Sequence, residues 1–102
     1  MFGMLNKLMG FADAKAIQEA LAGGAVVVDV RSPAEFSQGH YEGSKNLPVA
    51  DLQSRWKELS KLGKPLILCC ASGGRSSSAM NFLKAQGVEN VLNAGPWTNV
   101  RG

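Results

Sequence analysis

The chain has 102 residues, 45% of them hydrophobic and 19% charged, which suits one globular domain around one core and excludes an intrinsically disordered chain. Eleven Lys and Arg against eight Asp and Glu give a formal charge of +3. Basicity so mild and so dispersed favours small anions and lacks the clustered stripe of a nucleic-acid binder, and no run has the form of an RNA-binding aromatic motif.

In chain order, residues 1–12 read as an apolar N-terminal arm or helix, with Phe2, Leu5 and Met9 on one face. Asn6 and Lys7 interrupt it, so it holds no signal-peptide core. It is also too short to span a bilayer, and no stable membrane insertion is expected. Residues 13–102 form the domain proper. Asp13 caps a helix running to Leu21, with Ile17, Ala20 and Leu21 inward and Gly23-Gly24 as its stop. Ala25–Val30 is a β-branched apolar run that predicts a buried parallel strand. Ser32-Pro33 opens a short helix that Gly39 ends. A short strand over Ser44–Pro48 follows, then a helix capped by Asp51 with Leu52, Trp56 and Leu59 at helical spacing. Gly63-Lys64-Pro65 breaks it, and Leu66–Cys69 is the second strong strand. Ser76 to about Gln86 is helical, with Ala79, Phe82 and Leu83 on one face. Val88–Leu92 is a last strand, and Asn93–Pro96 a turn before Trp97. Phe36 and Phe82 are core candidates, and Trp56 and Trp97 core or cover. This alternation predicts an α/β domain with a mostly parallel sheet of four or five strands and helices on both faces, no clear strand being evident before Asp13.

The chemistry concentrates in Cys70-Ala71-Ser72-Gly73-Gly74-Arg75-Ser76. Strand, small-residue loop, helix is the layout that turns backbone N–H groups inward onto an anion. A free thiol titrates near 8.5, and a helix N-terminus or nearby cation lowers that. Here the amides of residues 71–75 and the positive end of the following helix face the sulfur, Arg75 adds the main fixed charge, and Ser72 and Ser76 add hydroxyl donors. Gly73 and Gly74 allow the backbone to reach positive φ and approach a ligand closely. The competing reading is a structural cysteine before an ordinary turn. Adjacent Cys69 and Cys70 do not suit a disulfide, there are too few ligands for a structural zinc, and free thiols suit a reducing compartment, hence the cytoplasm.

Cys70-x-x-Gly73-x-Arg75-Ser76 resembles the active-site loop of single-domain rhodaneses, the thiosulfate sulfurtransferase family. A second stretch agrees: Asp29-Val30-Arg31-x-x-x-Glu35-Phe36, then Gly39-His40, Gly43, Asn46 and Pro48. Asn93-Ala94-Gly95 is similar to the family's late glycine turn, and the likeness covers residues 13 to 97. The resemblance implies a rhodanese-like fold and a sulfurtransferase needing neither metal nor cofactor. Cys70 would take sulfane sulfur from a small anionic donor such as thiosulfate, hold it as a persulfide in the cradle of Ala71, Ser72, Gly73, Gly74, Arg75 and Ser76, and pass it to cyanide, a cellular thiol or a protein acceptor. Tyr41-Glu42 replaces the family's Ile-Pro after Gly-His, and the uncharged Ala71, Ser72 and Gly74 predict weak use of thiosulfate itself.

Asp29, Arg31, Glu35 and His40 are expected to brace structure, and Ser77 and Ser78 to belong to the first helical turn. Counted from Cys69, the loop instead reads Cys-x5-Arg75, the spacing of same-fold phosphatases and arsenate reductases. Leu68 stands where phosphatases place His, and no leaving-group acid is evident, which favours Cys70. A non-catalytic binding module of the same fold is the third alternative, disfavoured because Cys70 and Arg75 are both present.

Overall fold

Each helix start is written locally in the chain. The computed structural model describes residues 10–102. Asp13 Oδ1 accepts from the Ala16 N–H at 2.8 Å and opens α1, Ala14–Ala22. Ser32 and Glu35 form a reciprocal capping box at the head of α2, Pro33–Gln38, with Pro33 in its first turn. Asp51 makes no cap bond; the chain enters α3, Leu52–Ser60, from a 3₁₀ turn over Val49–Asp51 that already presents its carbonyls. The fourth helix, α4, covers Gly74–Ala85 and starts two residues earlier than its sequence suggests, because Gly73, at φ +107°, makes the turn out of the strand.

Four parallel strands form one sheet: β1 Val26–Asp29, β2 Lys45–Asn46, β3 Leu66–Cys70 and β4 Val91–Pro96, in the order β2-β1-β3-β4. The central strands are short runs of Val, Ile, Leu and Cys with both faces covered, as parallel sheets require. Val28, Leu66, Leu68 and Cys70 pack with Leu52 and Leu59 of α3 and Ala79 and Leu83 of α4. Val27, Ile67 and Cys69 belong to a second cluster with Ile17 of α1, Ala94 and Val100. The two neighbouring cysteines therefore lie in separate cores. Each buried Leu or Ile contributes roughly 1.5–3 kcal/mol. Phe36, Phe82, Trp56 and Trp97 are half-buried; Phe36 stacks on His40 with centroids 3.7 Å apart instead of entering the core.

Strand β4 departs most from its sequence reading. It begins at Val91, opposite Leu66, and continues through Asn93–Pro96, which was expected to turn. Pairing runs Leu68↔Asn93 and then Cys69↔Gly95, so Ala94 is an inserted residue, a β-bulge. Asn93 Oδ1 accepts the Gly95 N–H at 2.9 Å, and Gly95 sits at φ +78°. The Asn-Ala-Gly signal is thus a kink inside the strand. The result is functional placement: at the carboxyl ends of neighbouring β1 and β3, where ligands bind in open α/β sheets, Asp29 pairs with Cys69, and Cys70 lies one residue further along.

Candidate active site

Cys70 is the last residue of β3 and is 1% exposed. The chain bends through Ala71, Ser72 and Gly73 and returns as α4, so the first amides of that helix point back at the sulfur. The Gly73 N–H donates to Sγ at 3.0 Å and the Ser76 N–H at 3.4 Å. The Ser76 hydroxyl lies 3.4 Å from Sγ and 3.1 Å from the Gly73 carbonyl. That carbonyl also holds the Ser77 N–H at 2.9 Å, so the hydroxyl is free to turn to a thiolate. Burial by itself would raise the thiol pKa. The Ser76 hydroxyl and the amides of Ser76, Gly73 and Ser72 outweigh it and hold Cys70 below its ordinary value.

Cys69 has the opposite environment. It is fully buried in the other core, and burial together with the Asp29 charge pushes its thiol up to about 12. No donor to its sulfur occurs among the described residues, in contrast to Cys70.

The predicted loop residues gather as a cradle, with one exception in role. Ala71, Ser72 and Gly74 are exposed, while Gly73 and Ser76 are buried against the sulfur. Arg75 points elsewhere: its Nη1 and Nη2 meet Glu35 Oε1 and Oε2 at 2.7 and 3.0 Å. Arg75, expected to supply the cradle's main charge, is thus matched by a carboxylate, while its guanidinium still interacts with the Cys70 charge. The Arg75 bond, with the Ser32 N–H behind it, holds the Glu35 carboxyl down at about 2. The capping box of α2 and the first turn of α4 are thereby tied together across forty residues of sequence.

A second brace lies under the loop. Arg31 Nε sits 2.9 and 3.0 Å from the two Asp29 oxygens, and its Nη2 donates to Asp29 Oδ2 and to the Gly39 carbonyl, both at 2.7 Å. The Arg31 guanidinium also lies 5.2 Å from the Trp97 ring centroid. Asn46 donates to the Asp29 and Arg31 carbonyls at 3.0 and 2.9 Å. His40 Nδ1 is 2.7 Å from the Phe36 carbonyl, on the surface. These side chains stabilise strand ends and turns, as their sequence context suggests.

One contact had no sequence signal. The Phe11 ring lies directly on the Cα faces of Gly73 and Gly95; a Cβ at Gly73 would run into the ring, and one at Gly95 would sit 2.7 Å from Cδ2 and Cε2. Among the described residues, no group of three or more His, Cys, Asp or Glu side chains is placed to hold a metal ion, and no helix is long and apolar enough to cross a membrane.

A four-stranded parallel sheet with a cysteine cradled by amides at the end of its third strand defines the class of protein. The rhodanese-like domain model matches residues 13–95, and the chain belongs to that family. Among its relatives is the thiosulfate sulfurtransferase GlpE of Ectopseudomonas mendocina, 40% identical over 74 residues that make up 72% of this chain and 67% of that protein. A sulfurtransferase of Allochromatium vinosum is 34% identical over 92 residues, 88% of this chain and 81% of that one. The solved structure of the human single-domain sulfurtransferase TSTD1 superposes with a TM-score of 0.71 at 27% identity, covering 88% of this chain and 93% of its own.

Proposed function

We propose that this protein is a sulfurtransferase that carries sulfur on Cys70. The Cys70 thiolate attacks the outer, sulfane sulfur of an anionic donor such as thiosulfate. A new S–S bond forms, the donor's own S–S bond breaks, and sulfite leaves with the electron pair. The terminal persulfide sulfur then bears the negative charge, which the Gly73 and Ser76 amides and the Ser76 hydroxyl offset as an oxyanion hole offsets oxygen. A thiophilic acceptor, cyanide or a cellular or protein thiolate, attacks that terminal sulfur and returns Cys70 as thiolate. No net oxidation occurs, and the cycle uses no metal or bound cofactor.

The observation that carries this reading is the Gly73 N–H at 3.0 Å from a sulfur whose pKa is lowered despite burial. The names of the sulfurtransferase relatives support it from outside the chain. Against the Cys69 register stands the thiol at about 12, in the core remote from the cradle. A reducing compartment such as the cytoplasm fits two free thiols. The uncharged Ala71, Ser72 and Gly74 favour a donor other than thiosulfate in the cell. The test is transfer from thiosulfate to cyanide: Cys70→Ser abolishes it and Cys69→Ser retains it. Full activity in Cys70→Ser refutes the proposal.

A further inference from the structure

Asn93 is a polar side chain in the interior, 2% exposed. Its backbone lies in β4 opposite Leu68, and its carbonyl accepts the Ala12 N–H at 2.8 Å. Its Oδ1 accepts the Gly95 N–H across the bulge and its Nδ2 donates to the Ser77 hydroxyl, both at 2.9 Å. A backbone N–H only donates, so Oδ1 is fixed on Gly95 and Nδ2 is left to reach Ser77. At the bulge neighbouring side chains part: Ala94 packs in the core of Ile17 and Cys69, while Asn93 turns to α4. That helix packs with Cys70 through Ala79 and Leu83, so Asn93 stands on the same face of the sheet as the Cys70 side chain. Ser77 lies in the first turn of α4, and its N–H donates to the Gly73 carbonyl at 2.9 Å. The N–H of that same Gly73 donates to Cys70 Sγ at 3.0 Å, and Ser76, the residue before Ser77, supplies the two contacts at 3.4 Å. A line of hydrogen bonds thus runs from the β4 bulge through Asn93, Ser77 and Gly73 to the sulfur.

We propose that Asn93 is a positioning residue for the cradle: through Ser77 it fixes the first turn of α4 against β4 and so keeps the Gly73 and Ser76 donors on Cys70 Sγ. The helix start has no side-chain cap of its own, because its N-cap is Gly73, which supplies the turn and no side chain. It is held from outside instead, by Asn93 at Ser77 and by Glu35 at Arg75. The Arg75 and Glu35 side chains are 39% and 38% exposed, so water screens that pair, and Asn93 is the buried anchor. Hydrogen bonds weaken with distance and misalignment, so a first turn free to drift holds the thiolate less well. The proposal rests on Cys70 being the reacting sulfur, but it does not depend on which donor or acceptor the enzyme uses.

The test is alkylation of the full-length protein by iodoacetamide, with the site read by mass spectrometry, the rate followed against pH and the melting temperature recorded for each variant. Ser77→Ala removes the Asn93 contact, leaves the Ser77 N–H on Gly73 and the Gly95 N–H on Asn93, and suits a helix. Its Cys70 midpoint rises, and the rate below the midpoint falls about threefold, the loss of about one net hydrogen bond to the thiolate. Asn93→Leu, of similar size, gives at least that fall, and adding Ser77→Ala to it lowers the rate no further, because both act through one contact. Ser77→Thr keeps the hydroxyl and keeps the midpoint. The titratable groups coupled to Cys70, Arg75 of α4 with its Glu35 partner on α2 and Cys69 of β3, are left in place by every one of these substitutions. An Asn93 that only stabilises the fold lowers the melting temperature of the variants and leaves the midpoint where it is. That result in folded Ser77→Ala, a Ser77→Thr midpoint that moves as far as that of Ser77→Ala, or effects that add in the double variant overturns the proposal. Should Asn93→Leu fail to fold, Ser77→Ala and Ser77→Thr decide. Alkylation reads ionisation without sulfur transfer, so the expected shifts in a protein that transfers no sulfur would keep the positioning role and defeat only the proposed activity.

Discussion

Ser76→Ala isolates the part of the cradle that tunes the thiol. Ser76 is fully buried, and its hydroxyl is the strongest single contribution lowering the Cys70 pKa. A hydrogen bond to a charged group contributes about 1.5–3 kcal/mol, and the 3.4 Å separation selects the lower end. At about 1.4 kcal/mol per pKa unit, the variant's Cys70 titrates about one unit higher. At a pH below both midpoints the thiolate fraction, and with it the alkylation rate, falls about tenfold. Stability changes less, because the Gly73 carbonyl keeps the Ser77 N–H and is not orphaned; a loss of about 1 kcal/mol lowers the melting temperature by about 4–8 °C. The assay is the pH dependence of Cys70 alkylation, with the melting temperature as a control for folding. A folded variant whose midpoint stays in place refutes the claim that the hydroxyl holds the thiolate.

Other consequences follow from the braces and the second thiol. Glu35→Gln preserves the capping residue class but removes the charge facing Arg75; the Cys70 midpoint shifts far less than in Ser76→Ala, and an equal shift would mean that Arg75 acts on the sulfur. Because Glu35 is depressed from 4.5 to about 2, its share of stability is present above about pH 4.5 and is lost as pH falls toward 2. Thermal melts of Glu35→Gln relative to the natural protein therefore converge across that window. Asp29→Asn leaves the buried Arg31 without its carboxylate and costs about 3–5 kcal/mol by chemical denaturation, a large share of a total of about 5–15 kcal/mol. Cys69 contributes stability fully below about pH 9 and loses it as pH rises toward 12, because the unfolded thiol ionises while the buried one does not. Cys69→Ala weakens that alkaline loss, visible as a shallower fall in melting temperature.

What the sequence made legible was local. Asp13 and the Ser32–Glu35 capping box mark their helices, and the β-branched runs mark β1 and β3, because caps and short apolar strands depend on neighbours in the chain. The cysteine, the glycines and Ser76 of the cradle are contiguous for the same reason, as one strand-to-helix turn holds them all. Where distant segments meet, the sequence is silent. Nothing in the sequence marks Arg75 as the ion-pair partner of Glu35, forty residues away. Asn93-Ala94-Gly95 reads as a turn because a bulge uses the same residues, and only pairing with β3 shows that the strand runs through it. Phe11 gave no signal at all; two glycines waiting under a ring become visible only when residues 11, 73 and 95 are brought together. The Asp51 cap failed for a local reason, since a 3₁₀ turn had already entered the helix.

The account rests on one sulfur atom, and mass spectrometry reads it directly. The natural protein is exposed to a sulfane-sulfur donor without acceptor, digested under non-reducing conditions and mapped to the residue. One added sulfur atom on Cys70, removed by cyanide and absent from Cys70→Ser, is the predicted result. Added sulfur on Cys69, or none on either cysteine, contradicts it.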